Sequence, residues 1–544
     1  MIFAAGGEYR GDNGRYPLSG IMNEARPLRR RTVLSVLTAA SLGGLAGCLG
    51  GADDSAPDAS ENESTTFRVG TQWNPDSLDP LVKGWVFRKL SVIEPLVITD
   101  YDASVAPGLA TDWSATDESR QWEFTLRDDV TFHDGTPLSA ALAVESLRRS
   151  FASTSLAGLP VESVSAADDR TVRIRTERPF APLPAHLTRA ETSIVSSESY
   201  DDDGAVTELI GTGPFRFDSW EPGERITAVA FESYHGTVPS IDELVYERVA
   251  DEQTRLLKLE NGELDMARQL STETTPGLEA HDHLTAYEYE VPRTRYLVFD
   301  TTSTPFGDRE VRRAAMYALD RAGIVESVLN GGGPAAVGPY PPELTEWANE
   351  DLEPYAYDPE KARELLEAAG WKATESGRVR DGEPLEIELW TYDAWSLPIV
   401  AQVVQEQLSA VGFDVSLRQL AYSTIRERAN RDSFDAVLWS NSLLWYPDPD
   451  RLADFVHSTE ATMFSGYENE RVDRLLEAAR TTTHRAERKR RYDEVQAIAQ
   501  RDVPIGWVTH VTNVVGTSAD VEGYRPLPTE TCYHLEDVTH QSRA

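Results

Sequence analysis

The chain has 544 residues, and its 90 acidic side chains outnumber 52 basic ones, giving a formal charge of −38 at neutral pH. This excess of acid argues against nucleic acid as a partner, since phosphates need a basic surface, and against adsorption on anionic lipid. Lysine is scarce. An acidic, lysine-poor surface is typical of proteins that work in concentrated salt, where self-repulsion is screened, so we predict a halophilic protein; an acidic mesophilic protein is the alternative.

An export signal is predicted near the N-terminus. Arg30 and Arg31 form a twin-arginine pair, and the apolar run that follows, at residues 33–47, is too short to span roughly 30 Å of hydrocarbon. The run ends in Leu45-Ala46-Gly47-Cys48, a lipobox, which predicts cleavage before Cys48 and attachment of lipid to its sulfur. The alternative is a short buried helix followed by an ordinary cysteine.

This signal sets the expected limits of the first segments. Residues 1–21 have no apolar run that could act in export, and Met22 begins a basic start, so 1–21 is predicted to be a gene-start artefact. Residues 22–47 are then a twin-arginine-type lipoprotein signal peptide, and 48–66 are the lipidated cysteine and a flexible linker. With Cys48 lipidated, Cys532 has no partner, which excludes a disulfide framework and a cysteine-based zinc site.

Strand and helix patterns alternate through the first half without internal repeats. Period-two alternation indicates half-buried strands, and apolar residues at helical spacing indicate helices. In chain order we predict a strand at 67–70, a helix from Trp85 giving way to an apolar stretch that ends at Val97, a strand at 122–127, a helix at 139–151 and a strand at 171–176.

The second half has clearer helix signals. Asp358 followed by Pro359 indicates an N-cap and first helical position. The order of elements is that of an α/β lobe. We predict helices at 309–319, 359–369, 399–411, 472–479 and 488–500, and strands at 385–390, 413–417, 434–439 and 505–515.

Five segments, in order, resemble the extracellular solute-binding receptors of ABC importers, specifically the peptide/nickel family. The resemblance covers almost the whole chain from residue 67. The segments are Leu109-Ala-Thr-Asp-Trp113, Trp122-Glu-Phe-Thr-Leu-Arg127 with Val130-Thr-Phe-His-Asp-Gly-Thr-Pro-Leu138, Gly211-Thr-Gly-Pro-Phe215, Arg312-Arg-Ala-Ala-Met-Tyr-Ala-Leu-Asp-Arg321, and Tyr357 to Trp371.

The resemblance implies an α/β fold built as a two-lobe clamp of the periplasmic-binding-protein type (type II, large class with an extra subdomain). Lobe I would hold residues 67–298, with a subdomain near 88–200, and the returning segment 508–544; lobe II would hold 299–507. The two crossings, near Phe299 and Trp507, would act as hinges that close over a ligand. The receptor, a monomer on the extracellular face of the membrane, would deliver its ligand to permease and ATPase subunits.

The sequence contains no motif typical of a catalytic site. Neither Gly-x-Ser-x-Gly nor His-Glu-x-x-His occurs. His133-Asp134-Gly135 is a strand-end turn in the family, and Gly211-Thr-Gly-Pro-Phe215 lacks the Lys-Ser/Thr of a phosphate loop and is read as a tight strand entry. We therefore predict that the protein is not an enzyme.

The resemblance also implies where the ligand binds. Trp445 and Tyr446 follow a buried strand of lobe II, in a loop that faces the cleft. Peptide-binding relatives commonly place an aspartate just before this tyrosine to pair with the ligand's ammonium group, whereas this chain has Trp445, which suits an apolar, aromatic or cationic group. Trp85 and Phe87 are candidate walls in lobe I, with core packing as the alternative for both.

The nickel-receptor branch of the family suggests three further residues. Residues 523–530, Gly-Tyr-Arg-Pro-Leu-Pro-Thr-Glu, are similar to its C-terminal pattern, which would project Thr529 into the cleft. Arg189 lies where that branch uses an arginine against chelator carboxylates, and His457 lies in the region that supplies an imidazole to the metal. A surface arginine and a structural histidine are the alternatives. Other contacts of that branch, expected in residues 150–158, have no counterpart here.

Three readings of the ligand and role remain open. The favoured one is a receptor for a nickel-chelate-like ligand, so that no cofactor is expected beyond metal carried in as cargo. A receptor for dipeptides or oligopeptides is the second. A secreted lipoprotein with an enzymatic or chaperone role is the third, and no catalytic constellation supports it.

Overall fold

The computed structural model describes residues 65–540, except 74–76, 83, 376, 430–433 and 464. The predicted gene-start segment, signal peptide, lipidated Cys48 and nearly all of the linker lie outside the described residues. Within the described part, none of the helices combines the length and apolar character needed to cross a bilayer.

Strands and helices alternate along the described chain. The strands are β1 (Thr66–Thr71), β2 (Val97–Thr99), β3 (Val105–Pro107), β4 (Ala110–Thr116), β5 (Gln121–Leu126), β6 (Val161–Ala166), β7 (Thr171–Thr176), β8 (Phe215–Glu221), β9 (Arg225–Ala230), β10 (Glu243–Arg248), β11 (Met266–Leu270), β12 (Leu284–Phe299), β13 (Lys372–Thr374), β14 (Gly377–Arg380), β15 (Glu383–Pro384), β16 (Glu386–Thr391), β17 (Asp414–Gln419), β18 (Ala436–Ser442), β19 (Ile505–Ser518), β20 (Val521–Glu522) and β21 (Thr539–His540). The helices are α1 (Trp85–Lys89), α2 (Ala140–Phe151), α3 (Leu183–His186), α4 (Glu252–Glu260), α5 (Thr275–Glu279), α6 (Arg309–Tyr317), α7 (Arg321–Ser327), α8 (Pro359–Ala368), α9 (Leu397–Ala410), α10 (Tyr422–Arg428), α11 (Ala453–Val456), α12 (Glu470–Arg480) and α13 (Arg485–Asp502).

Helix starts follow from side-chain caps that the sequence displays. The Ser139 hydroxyl accepts the Leu142 N–H at the start of α2, and the Asp358 carboxylate accepts the Lys361 N–H at the start of α8. Each cap satisfies a backbone donor that the first helical turn leaves free. The predicted helix start at Asp358-Pro359 is confirmed.

Two long antiparallel strands, β12 and β19, run through both halves of the principal sheet. Its strand order is β17-β16-β18-β12-β19-β11-β1-β10-β9-β8. The first part of β12 pairs only with β19, and from Arg293 onward β12 also pairs with β18. The chain therefore has two sheet halves joined by two strands, which is the α/β two-lobe arrangement.

The three larger of the four buried cores in the described residues follow this division of the sheet. Lobe II has the largest, in which Tyr296 to Phe299 pack with the strands and helices of residues 306–508. Lobe I has its own around β1, β10 and the β8–β9 pair. A third core lies between α2 and the four-stranded sheet β4-β5-β7-β6, and its members run from Leu96 to Ile194. This third core falls within residues 88–200, for which the sequence predicts a subdomain, and the limits of that subdomain stay a prediction.

The first crossing lies earlier in the chain than its predicted place at Phe299. The β12–β19 register shifts between Val291 and Thr294, opposite Val511 and His510. Pro292 has no N–H to donate to the ladder, so the regular pairing is interrupted at this residue. Tyr296 to Phe299 already belong to the lobe II core. The crossing positions the Pro292–Arg293 backbone between the lobes.

A buried carboxyl group joins the end of α1 to the loop before β8. Glu94 accepts hydrogen bonds from Thr212 Oγ1 (2.9 Å) and Tyr234 OH (3.0 Å), and His235 Nε2 lies 3.8 Å away. Burial raises the pKa of Glu94 to about 7, although the hydroxyl donors and Arg88 act to lower it. The folded protein therefore favours the protonated form of Glu94 more than the unfolded chain does.

This raised pKa predicts a pH-dependent stability. Because the folded pKa exceeds the unfolded one, the contribution of Glu94 is complete in acid and is lost as pH rises through about 7. Glu94→Gln should therefore gain stability relative to the native chain between pH 5 and pH 8, by up to about 3 kcal/mol. Denaturant unfolding at both pH values measures the difference, with exposed Glu221→Gln as the matched control. An equal difference at both pH values would refute the raised pKa.

Candidate functional site

A pocket of about 70 Å³ lies where the lobes meet, beside the β12 crossing. It has room for only a few water-sized groups as the lobes stand. Lobe I contributes α1, residues 188–190 and the C-terminal residues 528–531. Lobe II contributes Ser442, at the end of β18, and Trp445 in the loop that follows. The lining residues are Trp85, Arg88, Lys89, Thr188, Arg189, Ala190, Val291, Pro292, Arg293, Ser442, Trp445, Pro528, Thr529, Glu530 and Thr531.

Four cations line this pocket in a chain whose formal charge is −38. Arg189 is paired with Glu191, 2.9 Å away, and Arg293 lies over the Trp395 ring, 4.1 Å from its centroid. Lys89 lies between the Trp85 and Tyr533 rings, 5.2 and 5.3 Å from their centroids. For the fourth cation, Arg88, the described residues supply neither an ion pair nor an aromatic ring of this kind.

Arg88 is a buried arginine, and the described residues supply no ion-pair partner for it. The residue is 5% exposed, and its Nε atom is buried with no hydrogen-bond partner. Among the described residues no acid forms an ion pair with it; its charge acts from farther away, on the buried Glu94. Burying a charge without a partner costs roughly several kcal/mol, so Arg88 is a candidate contact for an anionic ligand.

Glu530, the one acid among the described residues that line the pocket, is already paired with the buried Arg268. Its Oε1 accepts from Arg268 Nη2 (3.2 Å), Tyr289 OH (3.3 Å) and Asn513 Nδ2 (2.5 Å). Arg268 is held in turn by Tyr524 OH at 2.7 Å and by stacking on Tyr533. The pocket therefore presents net positive charge and suits an anion.

Comparison with known proteins identifies the kind of molecule that carries this pocket. The family of bacterial extracellular solute-binding proteins, family 5 (middle), matches residues 104–463. The chain belongs to this family.

Relatives of known ligand span most of the chain. It is 27% identical over 519 residues to the dipeptide-binding protein of Escherichia coli (strain K12), covering 87% of this chain and 91% of that protein. It is 29% identical over 393 residues to the nickel-binding periplasmic protein of the same organism, covering 68% and 74%. The structure of NikA from Brucella suis in complex with Fe(III)-EDTA superposes with a TM-score of 0.77 at 25% identity, over 87% of this chain and 100% of that chain.

Four of the residues expected to bind ligand in this family 5 chain lie around the one pocket: Trp85, Arg189, Trp445 and Thr529. Trp445 is 38% exposed, an unusual position for so large an apolar side chain, and it lines the pocket from lobe II while Trp85 and Thr529 line it from lobe I. The pocket therefore has an aromatic residue from each lobe.

The other three expected residues lie elsewhere. Phe87 is fully buried in the lobe I core, edge-on to Phe217 with ring centroids 5.9 Å apart. Tyr446 is buried against His186 of α3, with centroids 3.9 Å apart, so it contributes to the contact between the lobes. His457 is buried at the end of α11, where its Nδ1 accepts the Thr459 and Glu460 N–H groups. That nitrogen is occupied by backbone, as in a structural histidine.

Two buried ion pairs hold the loop that carries Trp445. Asp448 receives both guanidinium nitrogens of Arg488 at 2.7 Å, and Asp450 receives Arg480 Nε at 2.6 Å. Burial alone would raise the pKa of Asp450, but Arg480 and the nearby His186 hold it well below its usual range. These ion pairs connect the loop to α12 and α13, and they hold the backbone close to Trp445 in place.

Three pocket cations, Arg88, Lys89 and Arg293, were missed by sequence reasoning. Arg88 and Lys89 follow the two aromatic residues that it did select, and Arg293 lies beside Pro292 at the crossing. The rarity of lysine in the chain is the one sequence signal that singles out Lys89. Nothing in the sequence marks Arg88, because the lack of an ion-pair partner among the described residues is a property of the folded structure.

Proposed function

We propose that this family 5 protein captures a small carboxylate-rich anion between its lobes, with a nickel-chelate-like complex as the leading candidate, and delivers it to the permease and ATPase subunits of an ABC importer. The observation that carries the proposal is the buried Arg88, whose Nε has no hydrogen-bond partner among the described residues, in a pocket with three more cations and one acid that is already paired. A guanidinium binds carboxylate with two parallel hydrogen bonds, which gives both strength and orientation.

A chelate suits the pocket better than a free metal ion. Among the residues that line it there is no histidine or cysteine, and His457 lies elsewhere, so a metal there would keep its chelator's ligands. The relatives named above as binding nickel and Fe(III)-EDTA support a metal complex as cargo. Trp85 and Trp445 would pack on the apolar parts of the chelator.

A peptide is the second candidate, supported by the dipeptide-binding relative. Its terminal carboxylate would also pair with Arg88. Its ammonium group, however, would find only Glu530 in the pocket lining, and Glu530 Oε1 already accepts three hydrogen bonds from Arg268, Tyr289 and Asn513. The charge balance therefore favours a ligand with more carboxylates than amines.

Ligand-dependent stabilisation of the mature chain in molar salt tests this proposal. Nickel alone, L-histidine alone, nickel with L-histidine, nickel with citrate and a dipeptide–oligopeptide pool are compared. A ligand bound only by the native state adds about 2.7 kcal/mol at a hundredfold excess over its dissociation constant. We expect a higher melting temperature only where nickel and a carboxylate chelator are both present. A shift with the peptide pool alone would make the protein a peptide receptor.

The proposal includes export and lipid anchoring at Cys48 on the outer face of the membrane. The lipobox and twin-arginine pair support it, as does membership of an extracellular family. Cys48→Ser should move the protein from the membrane fraction to the medium in cells grown in molar salt, because it removes the sulfur that would carry lipid. Cys532→Ser is the matched control and should leave the protein with the membrane. Equal fractionation of native and Cys48→Ser chains would exclude the anchor.

A further inference from the structure

The C-terminal return of lobe I brings three different metal-ligating side chains together just behind the pocket wall. The Sγ of Cys532, a ring nitrogen of His534 and a carboxylate oxygen of Glu536 all lie within 4.8 Å of one another. They occupy alternate positions in the chain. His534 has a left-handed backbone conformation (φ 50°), which is uncommon for a residue other than glycine.

A fourth donor comes from the end of α1. The Ser91 Oγ lies 3.0 Å from Cys532 Sγ and 3.0 Å from Glu536 Oε2, while His534 Nδ1 lies 3.1 Å from Glu536 Oε1. The cysteine and serine are buried, and the histidine and glutamate are mostly shielded. Sulfur, nitrogen and oxygen donors thus lie close together, and they are linked by hydrogen bonds whose protons a cation would replace.

This donor set matches the chemistry of zinc sites. Zinc is bound by thiolate, imidazole and carboxylate, commonly with four ligands, at about 2.0–2.3 Å. A thiolate and a carboxylate together neutralise a dication, which removes the main cost of burying it. Alkaline-earth cations prefer sites made only of oxygen, so the thiol points to a transition metal.

We propose that Cys532, His534 and Glu536 bind a divalent transition cation, with Zn²⁺ as the first candidate, and that Ser91 or water completes the coordination. On the sequence alone, a zinc site was excluded because only cysteines were weighed as its ligands. The sequence does not show that His534 and Glu536 lie beside Cys532. Binding releases the thiol proton and takes Nδ1 of His534 out of its hydrogen bond to Glu536.

A metal bound at this site would link two segments of lobe I that line the pocket. Ser91 follows α1, which carries Arg88 and Lys89, and Cys532 follows Thr529 to Thr531, which line the same pocket from the C-terminal return. A metal there would hold these segments in register, separately from any ligand in the cleft. The inference is therefore independent of the identity of the transported solute.

Metal content and cobalt spectroscopy of the complete mature chain test the inference. After equilibration with equimolar Zn²⁺ and gel filtration, we expect one zinc per chain, and about a tenfold or greater loss of affinity for Cys532→Ser. Co²⁺ in the native chain should give a sulfur-to-cobalt charge-transfer band, a readout that needs no variant. Circular dichroism confirms that the variant is folded.

The chain offers a matched control in the surface histidines His281 and His283, whose rings are 5.3 Å apart and could hold metal adventitiously. His281→Asn/His283→Asn should retain the zinc and the cobalt band. The inference is overturned if the native chain retains no zinc at equimolar concentration, if cobalt gives no charge-transfer band, or if zinc is lost in the double variant and kept in Cys532→Ser.

Discussion

Replacing Arg88 by glutamine is expected to weaken ligand binding about a hundredfold or more, while leaving the melting temperature of the ligand-free protein unchanged or higher. Truncating one partner of a desolvated charge pair costs roughly 2–5 kcal/mol of binding free energy. In the free protein Arg88 as a whole residue is 5% exposed, and its buried Nε has no hydrogen-bond partner among the described residues. Its removal therefore relieves a desolvation cost instead of breaking a native contact.

Calorimetric titration with whichever ligand stabilises the native chain, together with thermal melting without ligand, measures both halves of this expectation. Arg225→Gln is the matched control, because Arg225 is an exposed lobe I arginine whose nearest acid, Glu221, is 4.0 Å away. Arg88→Lys keeps the positive charge but lacks the planar guanidinium group. It should recover only part of the affinity, since lysine cannot make the two parallel hydrogen bonds to a carboxylate. A lower melting temperature with unchanged affinity would show that Arg88 is a structural residue.

The sequence predicts the elements of this fold better than their connection. The helices at 359–369 and 472–479 and the strand at 171–176 were visible because their caps and periodicities are local properties. Strand β12 was not predicted, since Pro292 and the charged residues around it break the alternation that marks a strand. Its extended form depends on pairing with β19 and β18, which are distant in sequence.

The candidate site shows the same division between local and long-range information. Trp445 and Thr529 could be named because they lie in segments with a family pattern, and Phe87 was named beside them although it packs into the core. Which face of a five-residue helix points to the cleft depends on the packing of that helix against the rest of lobe I. Arg88 and Phe87 are neighbours in sequence, yet only Arg88 lines the pocket.

Arg488→Met is expected to destabilise the protein by about 3–5 kcal/mol, the cost of leaving a buried charge without its partner. Arg488 and Asp448 are 8% and 6% exposed and share two bonds of 2.7 Å. The matched control is Arg474→Met on α12, whose pair with Glu470 is 60% and 91% exposed. That surface pair is worth at most about 0.5 kcal/mol. Denaturant unfolding of the two variants in the same salt compares them directly.

The double variant Asp448→Asn/Arg488→Met separates the ion pair from simple packing. If the loss comes from the orphaned carboxylate, removing that charge as well should restore a large part of the stability. Ligand affinity should fall in Arg488→Met too, because Asp448 anchors the loop that holds Trp445 in the pocket. An Arg488→Met effect as small as that of Arg474→Met would mean that the loop is held by its apolar contacts, and Trp445 would then keep its position without the ion pair.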